Sequence, residues 1–122
     1  MRNMSFMLTV PQMYDETKDV TRRIGWAFLK AGDLVMACEK CQGLGKGGKI
    51  KRIHPIEIVS NVPEPLWYID IKPVKDRRRE VEREGFPDLT ASGFIRMFMR
   101  EMKCNSDQIV NRIEFRHRRD LI

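Results

Sequence analysis

The sequence predicts an α+β fold, a small β-barrel with short helices packed against it. Three observations support this: short β-prone apolar segments dominate the first 71 residues, two adjacent helical segments follow, and one more apolar segment closes the chain. With 122 residues and 42% hydrophobic side chains, the chain is long enough for one core and too apolar for a disordered protein. We therefore expect a single domain over residues 1–122.

Three early apolar segments are predicted to begin the barrel. Residues 6–10 form a run stopped by Pro11, which fits either a strand or the lead into a helical turn. Residues 20–24 are β-prone and follow a polar turn, while residues 34–38 follow a tight turn in which Gly32 can adopt a positive φ angle. The last two segments are predicted strands, and we expect the second to be buried on both faces.

A glycine-rich hairpin is predicted in the middle of the chain. Residues 42–48 hold four of the eight glycines and separate the strand at 34–39 from a second arm at 49–60. Within that arm the apolar alternation is imperfect, and Pro55 favours a bend or an edge position. The prolines in residues 61–65 are expected to end the strand, and the β-prone residues 66–71 to form another.

The predicted helices lie between residues 76 and 102. Residues 76–84 are charged almost throughout, which predicts a short, mostly solvated helix that ends at Gly85. Thr90 is the predicted N-cap of a second helix, whose apolar side chains recur at three- and four-residue steps and should face the core: Phe94, Met97, Phe98 and Met102. Residues 109–115 are then the predicted closing strand.

The charge balance favours an anionic partner. Lys and Arg number 23 against 17 Asp and Glu, giving a net charge of +6, which suits a nucleic acid but also serves solubility. No apolar stretch approaches the roughly 20 residues of a membrane span, and the N-terminus lacks the order of a signal peptide. We therefore expect a cytoplasmic protein with no membrane partner.

The three cysteines, Cys38, Cys41 and Cys104, are an odd number in a chain without an export signal, which favours reduced thiols. The segment that begins at Cys38 has the CxxCxGxG form of zinc modules in chaperones. Such a site needs four ligands, and nothing in the spacing marks Cys104, His54 or His117 as the missing ones. We predict no metal and no cofactor, and retain a zinc-stabilised interaction domain as a third alternative.

Three segments, in order along nearly the whole chain, resemble the ASCH family. Residues 18–23 (Lys-Asp-Val-Thr-Arg-Arg), followed by Gly32-Asp33, are similar to the family's opening signature and its later turn. Residues 83–86 (Arg-Glu-Gly-Phe) precede the helix that holds Phe94 and Phe98, and residues 110–115 (Val-Asn-Arg-Ile-Glu-Phe) match the closing strand. The resemblance implies a PUA-like β-barrel whose cleft binds RNA or its components.

The same resemblance implies candidate catalytic residues. One bacterial branch of the family hydrolyses the amide of acetylcytidine with a lysine, a threonine and a glutamate, which fall here on Lys18, Thr21 and Glu84; another branch is described as a ribonuclease. Arg22 replaces an apolar residue of the amidohydrolase branch, and the glycine-rich loop and the Arg77–Arg79 run have no clear counterpart there. Binding and hydrolysis therefore both stay open.

Amide hydrolysis needs a nucleophile, a base, an oxyanion donor and an acid, roles that Lys18, Thr21, Glu84 and Arg23 fit by type. A lysine acts as a base near neutrality only if burial or nearby cations lower its pKa. Arg22 and Arg23 would lower the pKa of Lys18 and Glu84 would raise it, so the sequence does not decide the direction. Lys18 and Thr21 converge only if the chain turns between them.

Six arginines are predicted to bind substrate or nucleic acid around this cleft: Arg22, Arg23, Arg77, Arg78, Arg79 and Arg83. The run at 77–79 fits equally well a solvated helix face paired with Glu80 and Glu82. Trp26, Trp67 and Tyr68 are possible stacking surfaces, although such aromatics more often pack in a core. The predicted partner is RNA or a modified nucleoside, and substitutions in so exposed a cleft should leave stability nearly intact.

Overall fold

The computed structural model describes residues 1–41 and 45–122 and confirms an α+β fold. Within these residues, five strands form one sheet that curls into a half-barrel in the order β1-β3-β4-β5-β2. The strands are β1 (Arg2–Ser5), β2 (Val20–Arg23), β3 (Leu34–Cys38), β4 (Arg52–Pro65) and β5 (Ile109–His117). β1 pairs with β3 in parallel, and the other neighbouring strands are antiparallel.

The helices of the described chain are short. They are α1 (Val10–Tyr14), α2 (Val74–Arg83), α3 (Ala91–Met102) and two 3-10 helices, Leu66–Ile71 and Arg119–Leu121. None of them has the length and apolar character that crossing a membrane requires.

The predicted strands at 20–24, 34–38 and 109–115 are confirmed as β2, β3 and β5. Residues 6–10 are not a strand: β1 ends before them and they lead into α1, which is the other alternative that the sequence allowed. Leu34 is 38% exposed, so the expectation that β3 is buried on both faces fails at its first residue. The turn at 30–33 forms as predicted, with Gly32 at a φ of +91°.

β4 continues through its prolines. It ends within the predicted residues 61–65, at Pro65, after Pro63 has paired opposite Asn111 and Pro65 opposite Ile109 of β5. β3 pairs only with the beginning of β4, so at Pro63 and Pro65 the edge of β4 that faces away from β5 has no partner strand in the described chain. The missing N–H groups of these prolines therefore cost no hydrogen bond of the sheet. Pro55 lies inside the sheet, opposite Met36, rather than at an edge.

Pro55 is tolerated because β5 ends beside it. Its carbonyl accepts a hydrogen bond from the Arg118 amide at 2.9 Å. The nitrogen and the carbonyl of one residue in an antiparallel strand face the same neighbouring strand, so the Pro55 nitrogen lies beyond the last paired residue of β5.

Of the predicted hairpin loop, residues 42–44 lie outside the described chain, and residues 45–48 form a turn in which the Gly48 amide bonds the Gly45 carbonyl.

Residues 66–71 form a 3-10 helix and not the predicted strand. Leu66 and Ile69, three residues apart, are fully buried, whereas Trp67 and Tyr68 point outward. A three-residue period places positions 66 and 69 on one face, so the helix buries its aliphatic residues as a strand of alternating faces would not.

α2 and Thr90 behave largely as predicted. Thr90 caps α3 by accepting a hydrogen bond from the Gly93 amide at 3.0 Å, and Phe94 and Phe98 are buried. Met102 is 46% exposed and so lies outside the core, where Ile95 takes a place instead. α2 overlaps the predicted helix and is mostly solvated, as expected, with Glu80 and Val81 as its buried residues.

Two hydrophobic clusters lie on opposite sides of the sheet. The interior cluster fills the half-barrel with side chains such as Met4, Phe6, Ile113 and Phe115. The outer cluster joins Val110 of β5 to α2, α3 and the first 3-10 helix through residues such as Val81 and Phe94. Alternate residues of β5 therefore serve different cores, which fixes the direction of the polar side chains between them.

Candidate functional site

Neighbouring residues of β2 face opposite sides of the sheet. Thr21 lies opposite Ile113, a residue of the interior cluster, and Arg22 lies opposite Arg112. Because side chains alternate along a strand, Thr21 and Arg23 share the interior face and Arg22 points to the face that α2 covers. The predicted residues of this motif are therefore divided between two environments.

Arg22 is the centre of a buried charge network on the α2 side. Its side chain has no exposed area, and its Nη1 donates to Glu84 Oε2 at 2.8 Å. Its Nη2 lies 3.4 Å from both Glu64 Oε2 and Glu80 Oε2. Arg112 closes the network with two bonds to Glu80, at 2.9 and 3.1 Å. Each cation is thus matched by buried carboxylates.

The network keeps its groups ionised. Burial opposes the charge on Arg22, but Glu84, Glu80 and Glu64 outweigh it and raise the pKa of the guanidinium. Burial would likewise raise the pKa of Glu80, yet the hydrogen bonds and charges of Arg112 and Arg22 bring it below its usual value. Removing one partner would leave the others buried and uncompensated.

Lys18 and Glu84 meet directly. Lys18 Nζ lies 3.1 Å from Glu84 Oε1 and also donates to the Glu84 backbone carbonyl. Gly85, with a φ of +100°, ends α2 in a left-handed turn where the Phe86 amide bonds the Val81 carbonyl, and this turn places Glu84. A Cβ at Gly85 would lie 3.1 Å from Thr9 Cγ2, so a larger residue is doubly disfavoured there.

The direction of the Lys18 pKa, which the sequence left open, is downward. Burial is the largest cause, and the charges of Arg23 and Arg22 add to it, while the charge and hydrogen bond of Glu84 oppose it. A lowered lysine pKa is the property that a general base requires. Both Glu84 oxygens are occupied by cations, one by Lys18 and one by Arg22.

Thr21 contacts Arg23 rather than Lys18. Its hydroxyl accepts a hydrogen bond from Arg23 Nε at 3.0 Å, and the Arg23 guanidinium stacks 4.6 Å from the centre of the Phe6 ring. Within residues 1–41 and 45–122, no hydrogen bond joins Thr21 to Lys18 or Glu84, so the shared catalytic role of the three stays a prediction.

Arg23 has no carboxylate partner in the part of the chain that the structure describes. Burial lowers its pKa to about 10, with the charge of Glu84 offsetting part of the effect, so it remains a cation at neutral pH. Thr21 and Phe6 fix the guanidinium, whereas its two terminal nitrogens have no hydrogen-bond acceptor among the described residues. Within residues 1–41 and 45–122, Arg23 is therefore a positioned cation that lacks a counter-ion.

The predicted catalytic side chains do not line an open cleft. Lys18 and Thr21 are 3% exposed and Glu84 is 2% exposed. The expectation that their substitution spares stability rested on exposure, and the burial of Lys18 and Glu84 in ion pairs removes that basis.

The other predicted arginines fall into two groups. Arg83 is neutralised by Asp19, at 2.9 and 3.2 Å, and by Glu114 at 3.0 Å, while Arg77 bonds Asp70. Arg78 and Arg79 are exposed and form no salt bridge with any described residue. Glu80 does not pair with this run, because Arg22 and Arg112 take both of its oxygens.

Two histidines extend the interior face towards Lys18. His54 Nε2 and His117 Nδ1 are 2.7 Å apart, and His117 Nε2 is 2.7 Å from the Lys18 carbonyl. Since a carbonyl only accepts, His117 Nε2 carries a proton and neutral His54 donates to His117. Burial, followed by the charges of His117 and Arg119, lowers the pKa of His54, with Glu16 acting in the opposite direction.

The cysteines do not add a site among the described residues. Cys38 is buried, and burial together with a hydrogen bond to Cys41 raises its pKa to about 11 and keeps it a thiol at neutral pH. Residues 1–41 and 45–122 hold no group of three or more His, Cys, Asp or Glu side chains placed to bind a metal ion.

The sequence analysis missed Glu64 and the role of Glu80 and Arg112 in the Arg22 network. A local signal exists for Arg112: it alternates with Ile113 and Phe115, so it must face away from the core that they fill. No comparable signal marks Glu64, which lies between two prolines near the end of β4.

No family model, curated protein or solved structure matches the chain.

Proposed function

We propose that the chain is an ASCH-type, PUA-like domain that binds RNA or a nucleoside, with Arg23 as its central contact. The ordered motifs of the sequence support the family, and one observation carries the binding role. Arg23 is held in place by Thr21 and Phe6, yet it has no carboxylate partner among the described residues, unlike Arg22, Arg83 and Arg112.

A guanidinium without a counter-ion suits an anionic or strongly polar ligand. Its planar donors match a phosphate or a base carbonyl, and a fixed arginine loses less conformational entropy on binding than a mobile one. Lys18 and Glu84 lie close enough for their charges to act on each other and on Arg23, so a ligand at Arg23 would adjoin this pair. Arg78 and Arg79 add exposed positive charge.

The test is a binding titration with a labelled RNA and with acetylcytidine. Arg23→Met keeps a long apolar stem over Phe6 but removes the charge, and we expect it to weaken binding about tenfold or more, since a hydrogen bond to a charged group contributes about 1.5–3 kcal/mol. Arg96→Met, at an exposed arginine of α3, is the matched control and should bind as the unmodified protein does. Equal affinities for both variants would reject the proposal.

Hydrolysis of an acylated cytidine in the same site is the second candidate, favoured by the lowered pKa of Lys18. Binding has the better support because Thr21, the candidate nucleophile, bonds Arg23 and not Lys18. Incubation with acetylcytidine and with RNA, followed by mass spectrometry of the products, separates the two candidates. Turnover that disappears in a Lys18→Met variant whose thermal unfolding shows it to be folded would establish the hydrolase.

A further inference from the structure

The segment between β4 and α2 carries an outward-facing aromatic pair. In the 3-10 helix Leu66–Ile71, Leu66 and Ile69 are fully buried, so the residues between them face solvent. Trp67 is 39% and Tyr68 41% exposed, and their ring centroids lie 6.2 Å apart at an angle of 64°. The two rings meet edge to face, and both stay partly exposed to a ligand.

This pair is held on a fixed backbone. The Leu66 amide bonds the Gln108 carbonyl at 2.9 Å, and the Trp67 amide bonds the Ser106 carbonyl at 3.1 Å. Ile71 and Val74, which are 64% and 61% exposed, continue the apolar surface towards α2. A surface of this kind loses little conformational entropy when a ligand stacks on it.

Basic residues follow the aromatic pair in the sequence. Residues 66–79 contain five basic and two acidic residues, a net charge of +3. Lys72 Nζ lies 5.2 Å from the centre of the Tyr68 ring, and Lys75 is exposed. Among the described residues, the salt bridge of this segment joins Arg77 to Asp70, which leaves the other basic residues for a ligand.

We propose that Trp67, Tyr68, Lys72 and Lys75 form a stacking platform for single-stranded nucleic acid, an inference that rests on the proposed nucleic-acid-binding function. Exposed rings stack on unpaired bases, and adjacent cations contact the phosphates between them. A duplex would hide its base faces from the rings. A membrane surface fits less well, because a helix that lies in its plane is continuous and amphipathic, whereas here the extended residues Lys72 and Pro73 separate the 3-10 helix from α2.

The experiment follows the fluorescence of Trp67 itself. The chain has two tryptophans, so Trp26→Phe leaves Trp67 as the single reporter. Titration with a 12-nucleotide oligouridine should quench its emission. In that background Tyr68→Leu should weaken affinity about tenfold, since stacking contributes about 1–3 kcal/mol per base, and Lys72→Gln should reduce the salt slope by about 0.7.

The controls separate this site from the Arg23 site. Phe28→Leu, at an aromatic side chain that is 48% exposed elsewhere, should leave affinity unchanged. Arg23→Met should weaken acetylcytidine binding while oligouridine at saturation still quenches Trp67. Thermal unfolding of each variant should match its background, because all the altered side chains of the platform lie at the surface.

Three results would overturn the platform. Oligouridine binding that leaves Trp67 emission unchanged and is insensitive to Tyr68→Leu would place the strand elsewhere, with the proposed function intact. Quenching by phosphatidylserine vesicles but not by oligouridine would make this surface a lipid contact. Failure of RNA, oligouridine and acetylcytidine alike to bind would reject the proposed function and the platform together.

Discussion

Arg22 and Arg23 are adjacent in β2, yet they occupy opposite electrostatic environments. Arg22 faces α2 and is neutralised by Glu84, Glu64 and Glu80, whereas Arg23 faces the interior, stacks on an aromatic ring and has no carboxylate partner in the described chain. A step of one residue along a strand changes the face and therefore the chemistry. Two adjacent basic residues of a motif therefore need not act as a unit.

The same contrast holds for the two faces as a whole. On the α2 side, ionised groups are matched with each other, so their combined effect is structural. On the interior side, Arg23 is a cation without a carboxylate partner among the described residues, and the two histidines bond each other. We therefore assign a stabilising role to the charged groups on the α2 side and a role in ligand contact to the polar groups on the interior side. Substitutions on both sides test this assignment.

The largest expected effect is on stability, from Arg22→Met. The substitution leaves three buried carboxylates without their shared cation, and breaking a buried ion pair in this way costs about 3–5 kcal/mol. Urea denaturation at neutral pH measures the loss in the free energy of unfolding. Arg78→Met, at an exposed arginine, serves as the control and should change it by no more than about 0.5 kcal/mol. Equal stability of the two variants would remove the structural role of the network.

A smaller effect on the free energy of unfolding is expected from acid, which should act on the interior face and on the α2 face in different pH ranges. The pKa of His54 in the folded protein lies below its ordinary value of 6.5, mainly through burial, so the unfolded chain binds more protons between the two values. The free energy of unfolding should fall as the pH drops through 6.5 towards the folded pKa. Glu80, whose pKa is lowered from 4.5, contributes stability that is lost only below that pH.

His54→Gln tests this difference, because a glutamine amide can still donate to His117 but does not titrate. Denaturation curves collected from pH 7 to pH 5 should show a flatter decline for the variant than for the unmodified protein. Parallel declines would mean that acid sensitivity in this range arises outside the interior face. His117, Arg119 and Glu16 set the field at His54, and the variant leaves all three in place.

Elements with a local cause could be predicted from the sequence. Thr90 caps α3 through its own hydroxyl, Gly32 supplies a positive φ, and the alternation in residues 109–115 specifies a strand with one apolar face. The 3-10 helix was missed because its β-prone residues are placed by tertiary burial of Leu66 and Ile69, not by local preference. The prolines of residues 61–65 do not stop β4 before Pro65, because a proline disrupts a sheet only where a partner strand would accept a hydrogen bond from its N–H.

Only the part of the candidate site that is built from residues of the family motif could be predicted from the sequence. The resemblance identified Lys18 and Glu84, which do meet, but it could not assign partners to Glu80, whose nearest arginines in sequence are Arg77, Arg78, Arg79 and Arg83. Tertiary contacts with Arg22 and Arg112 prevail because they are buried, where a charge pair is stronger than on a solvated helix face.

The smallest expected effect, from Thr21→Val, decides what the threonine does on the interior face. Valine keeps the shape of the side chain but removes the oxygen that accepts from Arg23 Nε at 3.0 Å, which should cost about 1 kcal/mol of stability and a few-fold in affinity, since one hydrogen bond is lost and Arg23 is less firmly placed. Thr21→Ser retains the oxygen and should restore both. If Thr21 is instead the nucleophile of a hydrolase, valine would abolish product formation while serine preserved it. Calorimetric binding and product analysis on the same three proteins therefore separate a residue that positions Arg23 from one that attacks a substrate.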